Sequence, residues 1–227
     1  NLLEINIDFD SIDAICRNNT IQDNYLQNNG GINAYSYDED GFDEDGLKDN
    51  IFFNNTIISN TTSITIQGGN RNIIANNNLT SKENGIKLQD ADQLNIHNNT
   101  LTANNYGIIT GNCQNLHLIK NTINSKENGI KLQTGNESII AKNQITSNDS
   151  GLTLKDCKNL NCSYNQFTWG GITFESSDNY ALVNTVFFEN TLNGKPILFY
   201  YNESNIMVEE QGGQLIALNC NNVTFQN

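Results

Sequence analysis

Basic side chains are scarce in this chain: 12 Lys and Arg stand against 25 Asp and Glu in 227 residues, leaving a formal net charge of −13. Little is available to neutralise phosphates, and the only arginines are Arg17 and Arg71, so a nucleic-acid partner is excluded. Acidity of this size favours solubility, divalent cations, or both. Proline is nearly missing, with Pro196 alone. No stretch is long enough or apolar enough to span a membrane. No signal peptide is legible, and the chain opens at Asn1 without a methionine, which reads as a mature or trimmed fragment. Five cysteines are present, and their spacing argues against disulfides. Cys113 and Cys157 are two repeats apart, and so about 9.6 Å at strand spacing, whereas a disulfide needs Cα atoms within about 7 Å. Cys16 and Cys162 fall in one inward column six repeats apart, and Cys220 lies in a similar inward setting. All read as small buried hydrophobes.

What is abundant is asparagine, 44 residues of it, and it is periodic. Asn55, Asn77, Asn99, Asn121, Asn143 and Asn165 recur at one fixed interval. A small residue follows eight later at Ser63, Gly85, Gly107, Gly129 and Gly151, and Gly171 follows Asn165 after six. A fixed period of this length means one structural unit stacked many times. A buried amide in every unit is tolerable when its copies bond to one another, which stacked strands about 4.8 Å apart allow.

Apolar columns accompany the asparagines. One lies three residues before the ladder position (Cys16, Phe52, Ile74, Ile96, Leu118, Ile140, Cys162) and one two residues after it (Ile21, Ile57, Leu79, Leu101, Ile123, Ile145, Phe167). A third follows the small residue, from Ile64 and Ile86 to Ile172, with a partner two further on. Each segment alternates with period two, so the unit is three short strands joined by Asn, Gly, Ser and Asp turns. This describes an all-β, right-handed parallel β-helix with 22-residue rungs and an internal Asn ladder. A leucine-rich repeat is the rival, because Leu116-x-Leu118-x-x-Asn121-x-Ile123 has that family's local shape. The Gly-Ile-Lys-Leu segments at 85–88 and 129–132 occupy the arc where that fold carries a helix, and they alternate like strands.

Two segments break the period. From Asn19 to Asn55 is one rung plus a surplus of 14, and the surplus coincides with an acidic run at 36–49 holding seven carboxylates. Alternating aspartates beside glycine let several carboxylates converge on a hard cation, so calcium is expected on Asp38, Asp40, Asp43, Asp45 and Asp49. The double Asp-x-Asp-Gly resembles the calcium loops of extracellular thrombospondin type 3 and dockerin-like modules. A solvated acidic loop is the other reading. The second break begins near Tyr180: ten of the 19 aromatics lie between Tyr164 and Tyr201. An excursion of this kind covers a flank of the solenoid, stacks on sugars, or faces another protein. The domains read as a β-helix over 1–180 with the insertion at 36–49, an aromatic-rich irregular rung and connector over 181–214, and resumed β-helix strands over 215–227.

With their recurring Asn-Asn-Thr and Asn-Gly-Ile signatures, the rungs resemble the NosD-like, carbohydrate-binding type of right-handed β-helix. The passage from Glu189 through Gly194-Lys-Pro-Ile-Leu-Phe-Tyr-Tyr201, then Gly212 to Thr224, is similar to a connector between β-helix blocks in adhesin-like surface proteins of methanogenic archaea. The resemblance covers nearly the whole chain and implies an extracellular, cell-envelope protein.

Catalysis finds little support. β-helical pectate lyases use an arginine-rich site beside calcium, polygalacturonase-like hydrolases carry Gly-His-Gly, and alginate-epimerase relatives carry Asp-Pro-His; two isolated arginines and the missing motifs meet none of these. Glu127 with Asp149, two residues before the small-residue slot on adjacent rungs, is the surviving carboxylate pair, about 5 Å apart by strand spacing. Copper lacks a His, Met and Cys cluster, since His97 and His117 fall at different rung positions. Three function classes stand: a non-catalytic structural or adhesive surface module, a carbohydrate-binding module, and a polysaccharide-processing enzyme. The first is the expectation, with other envelope proteins, copies of the same chain, or glycans as partners. Ten Asn-x-Ser/Thr sequons, at Asn18, Asn54, Asn60, Asn78, Asn98, Asn136, Asn148, Asn161, Asn202 and Asn222, mark glycosylation candidates. Both ends read as strand (Ile5 to Phe9, Leu215 to Phe225), hence as cuts through a longer solenoid or as surfaces that stack head to tail into a filament.

Overall fold

A computed structural model of the protein describes residues 7–12, 16–27, 30–37, 47–175 and 184–226. A central rung shows the unit: Asn95–His97 on face 1, Thr100–Ala103 on face 2 and Ile108–Gly111 on face 3. Each strand pairs in parallel with its counterpart one rung on, as Ile96 does with Leu118, Leu101 with Ile123 and Ile108 with Ile130. Stacking gives sheets of eight, ten and eight strands, and the fold is a right-handed parallel β-helix. The arc at issue between the two candidate folds is strand (Ile86–Gln89 and Asn128–Gln133), not helix.

The sequence closes these rungs through its corners. Three residues per rung are left-handed: Asn98, at φ 56°, between faces 1 and 2, and Asn112 and Asn115, at 49° and 54°, between face 3 and the next face 1. Asparagine tolerates that region better than other residues with a side chain, because its short amide bonds locally. In the Asn-Asn pairs at 54–55, 76–77 and 98–99 the first residue is the exposed corner and the second is buried in the ladder. The inner face packs Phe52, Ile74, Ile96, Leu118 and Ile140 against Leu79, Leu101 and Ile123 and against Ile86, Ile108 and Ile130. Gly85, Gly107, Gly129 and Gly151 lie where the backbone of the next rung and a core side chain leave no room: a Cβ on Gly107 would meet Ile123 Cγ2 and stand 2.6 Å from the Gly129 carbonyl oxygen.

Each ladder amide is fully used. Asn99 Nδ2 donates to Asn121 Oδ1 at 3.0 Å and to the Ile74 carbonyl at 2.8 Å, while Asn99 Oδ1 accepts from the backbone N–H and side-chain amide of Asn77, both at 2.9 Å. The run extends past the regularly spaced positions at both ends: Asn24 donates to Asn55 and Asn165 donates to Asn190. A second, shorter run passes from Asn19 to Asn50 to Asn72 at another corner and then gives way to buried Leu94 and Leu116.

That second run corrects the register expected at the start of the chain. Asn19 stacks on Asn50, not Asn55, so the early rung is 31 residues long and its surplus is nine residues rather than the fourteen expected. Ile21 pairs with Phe52, Leu26 with Ile57, and Cys16 with Leu47, which moves Cys16 out of the column that holds Cys162. The inward position is selected by backbone pairing with the next rung, and the Asn-Asn pair at 18–19 mimics a ladder site one corner early. The surplus falls between Ile32–Tyr37 and Leu47–Lys48.

The stack is taken up again at residue 186. Val186–Phe188 joins face 1 and Thr191–Leu192 joins face 2, adding two of the three strands of a rung inside the expected connector. The chain then turns at Asn193 and Gly194, both left-handed, and Lys195–Tyr201 returns antiparallel to Thr191–Leu192. Beyond this turn a different repeat begins. Ile197 to Tyr201 pairs in parallel with Gln214 to Leu218, and Ser204–Val208 pairs with Asn221–Phe225. The two offsets are equal and shorter than that of the main stack, so the C-terminal segment is a smaller two-rung solenoid with a 17-residue repeat. Its corners stack Asn222 on Asn205, with Asn222 Nδ2 donating to Asn205 Oδ1 at 2.7 Å. It also closes part of the main stack. The Gln214 amide accepts from the Ile172 N–H at 2.8 Å and donates to the Ile172 carbonyl at 2.7 Å, standing in for the peptide of a missing strand on face 3.

Candidate functional site

Ladder and corners turn alternate residues of every strand outward, so each face presents two regular columns. On face 2 one column runs Thr56, Asn78, Thr100, Thr122, Gln144, Gln166 and the other Ile58, Thr80, Thr102, Asn124, Thr146, Thr168. Seven of these twelve are threonine and none is charged, in a chain of net charge −13. Tyr25, paired with Thr56, begins the first column and is 56% exposed. Trp169, the only tryptophan, follows Thr168 at the far end and is 67% exposed.

Trp169 is out of place by the logic of the repeat. It pairs with Ser147, whose position is an inward one held by the small residues Ser59, Ser81, Ala103, Ser125 and Ser147. A φ of 70° turns it outward instead. For a bulky residue that is a strained conformation. It arises where the rung is short: Leu152 pairs with Ile172, two positions earlier than the repeat would place its partner. Asn193 Oδ1 accepts from the Trp169 N–H at 3.1 Å and holds the turn.

Face 3 differs. Its outward positions include Lys87 and Lys131, with Lys155 and Glu175 in the neighbouring column. Lys131 Nζ reaches over Thr153 to the Glu175 carboxylate at 2.8 Å, and Thr153 Oγ1 beneath it donates to Asn128 Oδ1 at 2.9 Å. Face 1 carries His97 and His117 on adjacent strands, two positions apart in register. His97 Nδ1 lies 3.2 Å from the Asn98 amide nitrogen. At its far end Tyr164 meets Phe188 edge-on at 5.5 Å with both rings half exposed, while Phe187 packs inward on Phe174 and Phe199, the latter at 4.4 Å. The aromatics of the second break therefore divide: Phe187 and Phe199 join the last rung to the small solenoid, and Tyr164, Phe188 and Trp169 stay outside.

The acidic insertion is only partly in view. Asp38, Asp40, Asp43 and Asp45 lie outside the described residues. Asp49 is described, and both its oxygens are taken by Arg71, whose Nε and Nη2 donate at 2.8 and 2.6 Å. That guanidinium holds the Asp49 carboxyl below the usual carboxylate range. Glu127 and Asp149 do sit on directly stacked turns, the Asp149 N–H donating to the Glu127 carbonyl at 3.2 Å, with Glu83 and Asn105 earlier in the same column. Nine of the ten sequon asparagines are exposed, and Asn136 is half-buried, its Oδ1 accepting from the Lys158 N–H. Asn18, Asn54, Asn98, Asn202 and Asn222 are left-handed corner residues.

Cys113, Cys157, Cys162 and Cys220 are free thiols. Burial pushes Cys113 and Cys162 up to about 12 and raises Cys157 as well, so these three are protonated packing groups. Cys220 is half-buried rather than fully inward. Among the described residues no helix is long and apolar enough to cross a membrane.

With this geometry in hand, the chain can be set beside known proteins. No curated protein matches the sequence. Among solved structures, an alginate lyase from a Paenibacillus species superposes with a TM-score of 0.59 at 10% identity, over 92% of this chain and 98% of that one. The periplasmic alginate epimerase AlgG gives 0.56 at 17% identity, over 84% of this chain and 47% of that one. A DFA-IIIase from Arthrobacter chlorophenolicus, solved in complex with DFA-III, gives 0.55 at 12%, over 95% of this chain and 56% of that one. The chain thus spans about half the length of the epimerase and the DFA-IIIase, and at these identities the likeness is one of fold. The family profile described as "Periplasmic copper-binding protein (NosD)" matches residues 10–128, just over half of the chain. This chain belongs to the NosD family of parallel β-helix proteins.

Proposed function

We propose that this chain is a non-catalytic β-helical module of an extracellular cell-envelope protein, with a structural and adhesive role. One observation carries the reading: an unbroken run of hydrogen-bonded amides from half-buried Asn24 through buried Asn55 to buried Asn190 stiffens an uncharged, regularly spaced outer face. Such a surface suits holding a partner rather than transforming it. Two ionic pairs are already formed on the surface, Arg71 with Asp49 and Lys131 with Glu175. The periplasmic description of the family supports a place outside the cytoplasm, and the cell surface is the finer reading.

Copper, named in the family description, does not fit the residues in view. Among the described residues no group of three or more His, Cys, Asp or Glu side chains stands together. The two histidines are offset on their face, and the buried thiols are held protonated, whereas copper sites need convergent imidazoles, thiolates or thioethers. Calcium on the 36–49 insertion rests on its composition: Arg71 already offsets Asp49, and the other six carboxylates of the run repel one another unless a cation offsets them. Glycans on exposed sequon asparagines, and other envelope proteins or copies of this chain as partners, complete the reading.

A polysaccharide-processing enzyme is the second reading, favoured by the alginate lyase, epimerase and DFA-IIIase among the fold neighbours and by the stacked Glu127 and Asp149 turns. Incubation with alginate, pectin and neutral glucans, followed by reducing-end and unsaturated-uronate assays, separates the two. No product is expected. Product formation that Glu127→Gln or Asp149→Asn abolishes would overturn the non-catalytic reading.

A further inference from the structure

We propose that the outer surface of face 2, from Tyr25 to Trp169, is a binding track for an uncharged, extended polysaccharide lying along the axis of the rod. The inference deepens the adhesive reading and rests on it, naming what the surface holds.

Geometry comes first. Seven strands, from Tyr25–Gln27 to Gln166–Trp169, make a strip about 29 Å long at strand spacing. Every rung from Thr56 onward offers two outward side chains in register, so groups repeat about every 4.8 Å along the axis, close to the rise of one sugar unit in an extended chain. The Thr100 and Thr102 pair represents the strip. A hydroxyl both donates and accepts, as do the amides of Asn78 and Gln144, and sugar hydroxyls have the same double character. Threonine is stiff at χ1, so little side-chain freedom is lost on binding.

Charge then selects among polysaccharides. The twelve outward positions between Thr56 and Thr168 hold no ionic group, so a neutral chain docks without burying an unpaired charge. A uronate polymer finds no counter-charge on the strip and meets a molecule of net charge −13. The ligand this strip fits differs from the alginate in the names of two fold neighbours. Lys87, Lys131 and Lys155 lie on face 3, and Lys82, Lys120, Lys126 and Lys142 stand at the corners beside the strip rather than on it.

The ends of the strip supply an independent observation. Tyr25 and Trp169 are large aromatic rings left more than half exposed at opposite ends of one sheet. Trp169 stands outside only because its backbone adopts a strained φ of 70°, where the repeat would have buried a small residue. Strain that exposes an indole at the edge of a polar strip is intelligible if the ring stacks on a sugar face.

The test uses the chain as it is. Retention on microcrystalline cellulose and on chitin is compared with retention on immobilised alginate, and product release is assayed in the same tubes. Wild type is expected to be held by at least one neutral matrix and not by alginate. Thr80→Asp with Thr102→Asp, both on the exposed surface, should abolish retention, whereas Lys87→Glu on face 3 should leave it unchanged. Trp169→Ala should weaken retention by about threefold to tenfold, the worth of one aromatic contact. Because Trp169 is the only tryptophan, its emission in the unaltered protein should shift on adding cellohexaose or chitohexaose, which reads the site even if the double variant fails to fold. Failure to bind either neutral matrix, preference for alginate, or a silent Trp169 in a retained protein overturns the track alone. Release of product overturns the non-catalytic reading, whatever the binding result.

Discussion

At the scale of single residues, asparagine does two jobs that are easily conflated. One is conformational, at the left-handed corners, and other residues can take it at some cost, as Lys120, Lys142 and Tyr164 do in later rungs. The other is chemical, in the ladder, where Asn121 accepts from Asn99 and donates to Asn143 and to the Ile96 carbonyl. Nothing smaller replaces those bonds. Asn121→Ala should cost about 2–3 kcal/mol, since it strands buried donors and acceptors on both neighbouring rungs. Lys120→Asn beside it should be neutral or stabilising. Chemical denaturation of both variants checks the contrast, and equal effects would contradict the division of labour.

The buried thiols yield a prediction with a defined sign. Cys113 and Cys162 have folded pKa values of about 12 against an unfolded value of 9.0, so the folded state stays protonated where the unfolded chain ionises. Their contribution to stability is full below pH 9.0 and is lost as pH rises towards about 12. Melting measured from mildly alkaline pH upward should fall through that window, and Cys113→Ala with Cys162→Ala should flatten the slope. A slope unchanged by both substitutions would remove the thiols as its cause.

At the scale of elements, the close approach of rungs explains the glycine column. Gly107 leaves the strand free to sit against Ile123 and the Gly129 carbonyl, and a methyl there forces the rungs apart. Gly107→Ala should destabilise by about 1–3 kcal/mol by overpacking. Thr122→Ala, on the exposed surface of face 2, should change stability by less than about 0.5 kcal/mol. Denaturant midpoints decide it. The acidic insertion is an element of another kind, outside the ladder. Chelation should raise its susceptibility to protease while leaving the melting of the rungs unchanged, because the Asn ladder owes nothing to a metal. Calorimetry without a calcium-binding isotherm would dispose of that expectation.

At the scale of the whole molecule, stability is a sum over neighbouring rungs, and exposed strand edges are its weak points. The main stack is partly closed at one end: Gln214 covers the Ile172 edge and Lys195–Tyr201 pairs with Thr191–Leu192. Association between copies would therefore engage the small solenoid, where Met207 and Phe225 are well exposed. Light scattering is expected to show growth with concentration that Phe225→Asp suppresses. A strict monomer at high concentration would end the head-to-tail idea.

Much of this protein is written in its period. Asn55 to Asn165, the alternating apolar columns and the glycines recur at one shared interval, and each copy meets the same partners one rung away, so one dimension of sequence suffices to place them. The uncharged columns of face 2 follow from the same alternation, although the sequence pattern alone does not single them out against the acidic insertion. Where the period lapses, the deciding contacts are non-local. Spacing puts Ile21 inward but in the column of Ile57; pairing moves it to the column of Phe52 and gives the place beside Ile57 to Leu26. A shortened rung, not residue preference, throws Trp169 outward through φ 70°. The antiparallel turn at Gly194 starts a shorter repeat whose two copies are too few to declare themselves before their strands are seen side by side. Periodic contacts are set by the chain itself, whereas register after a break is set by whichever backbone lies ready to pair.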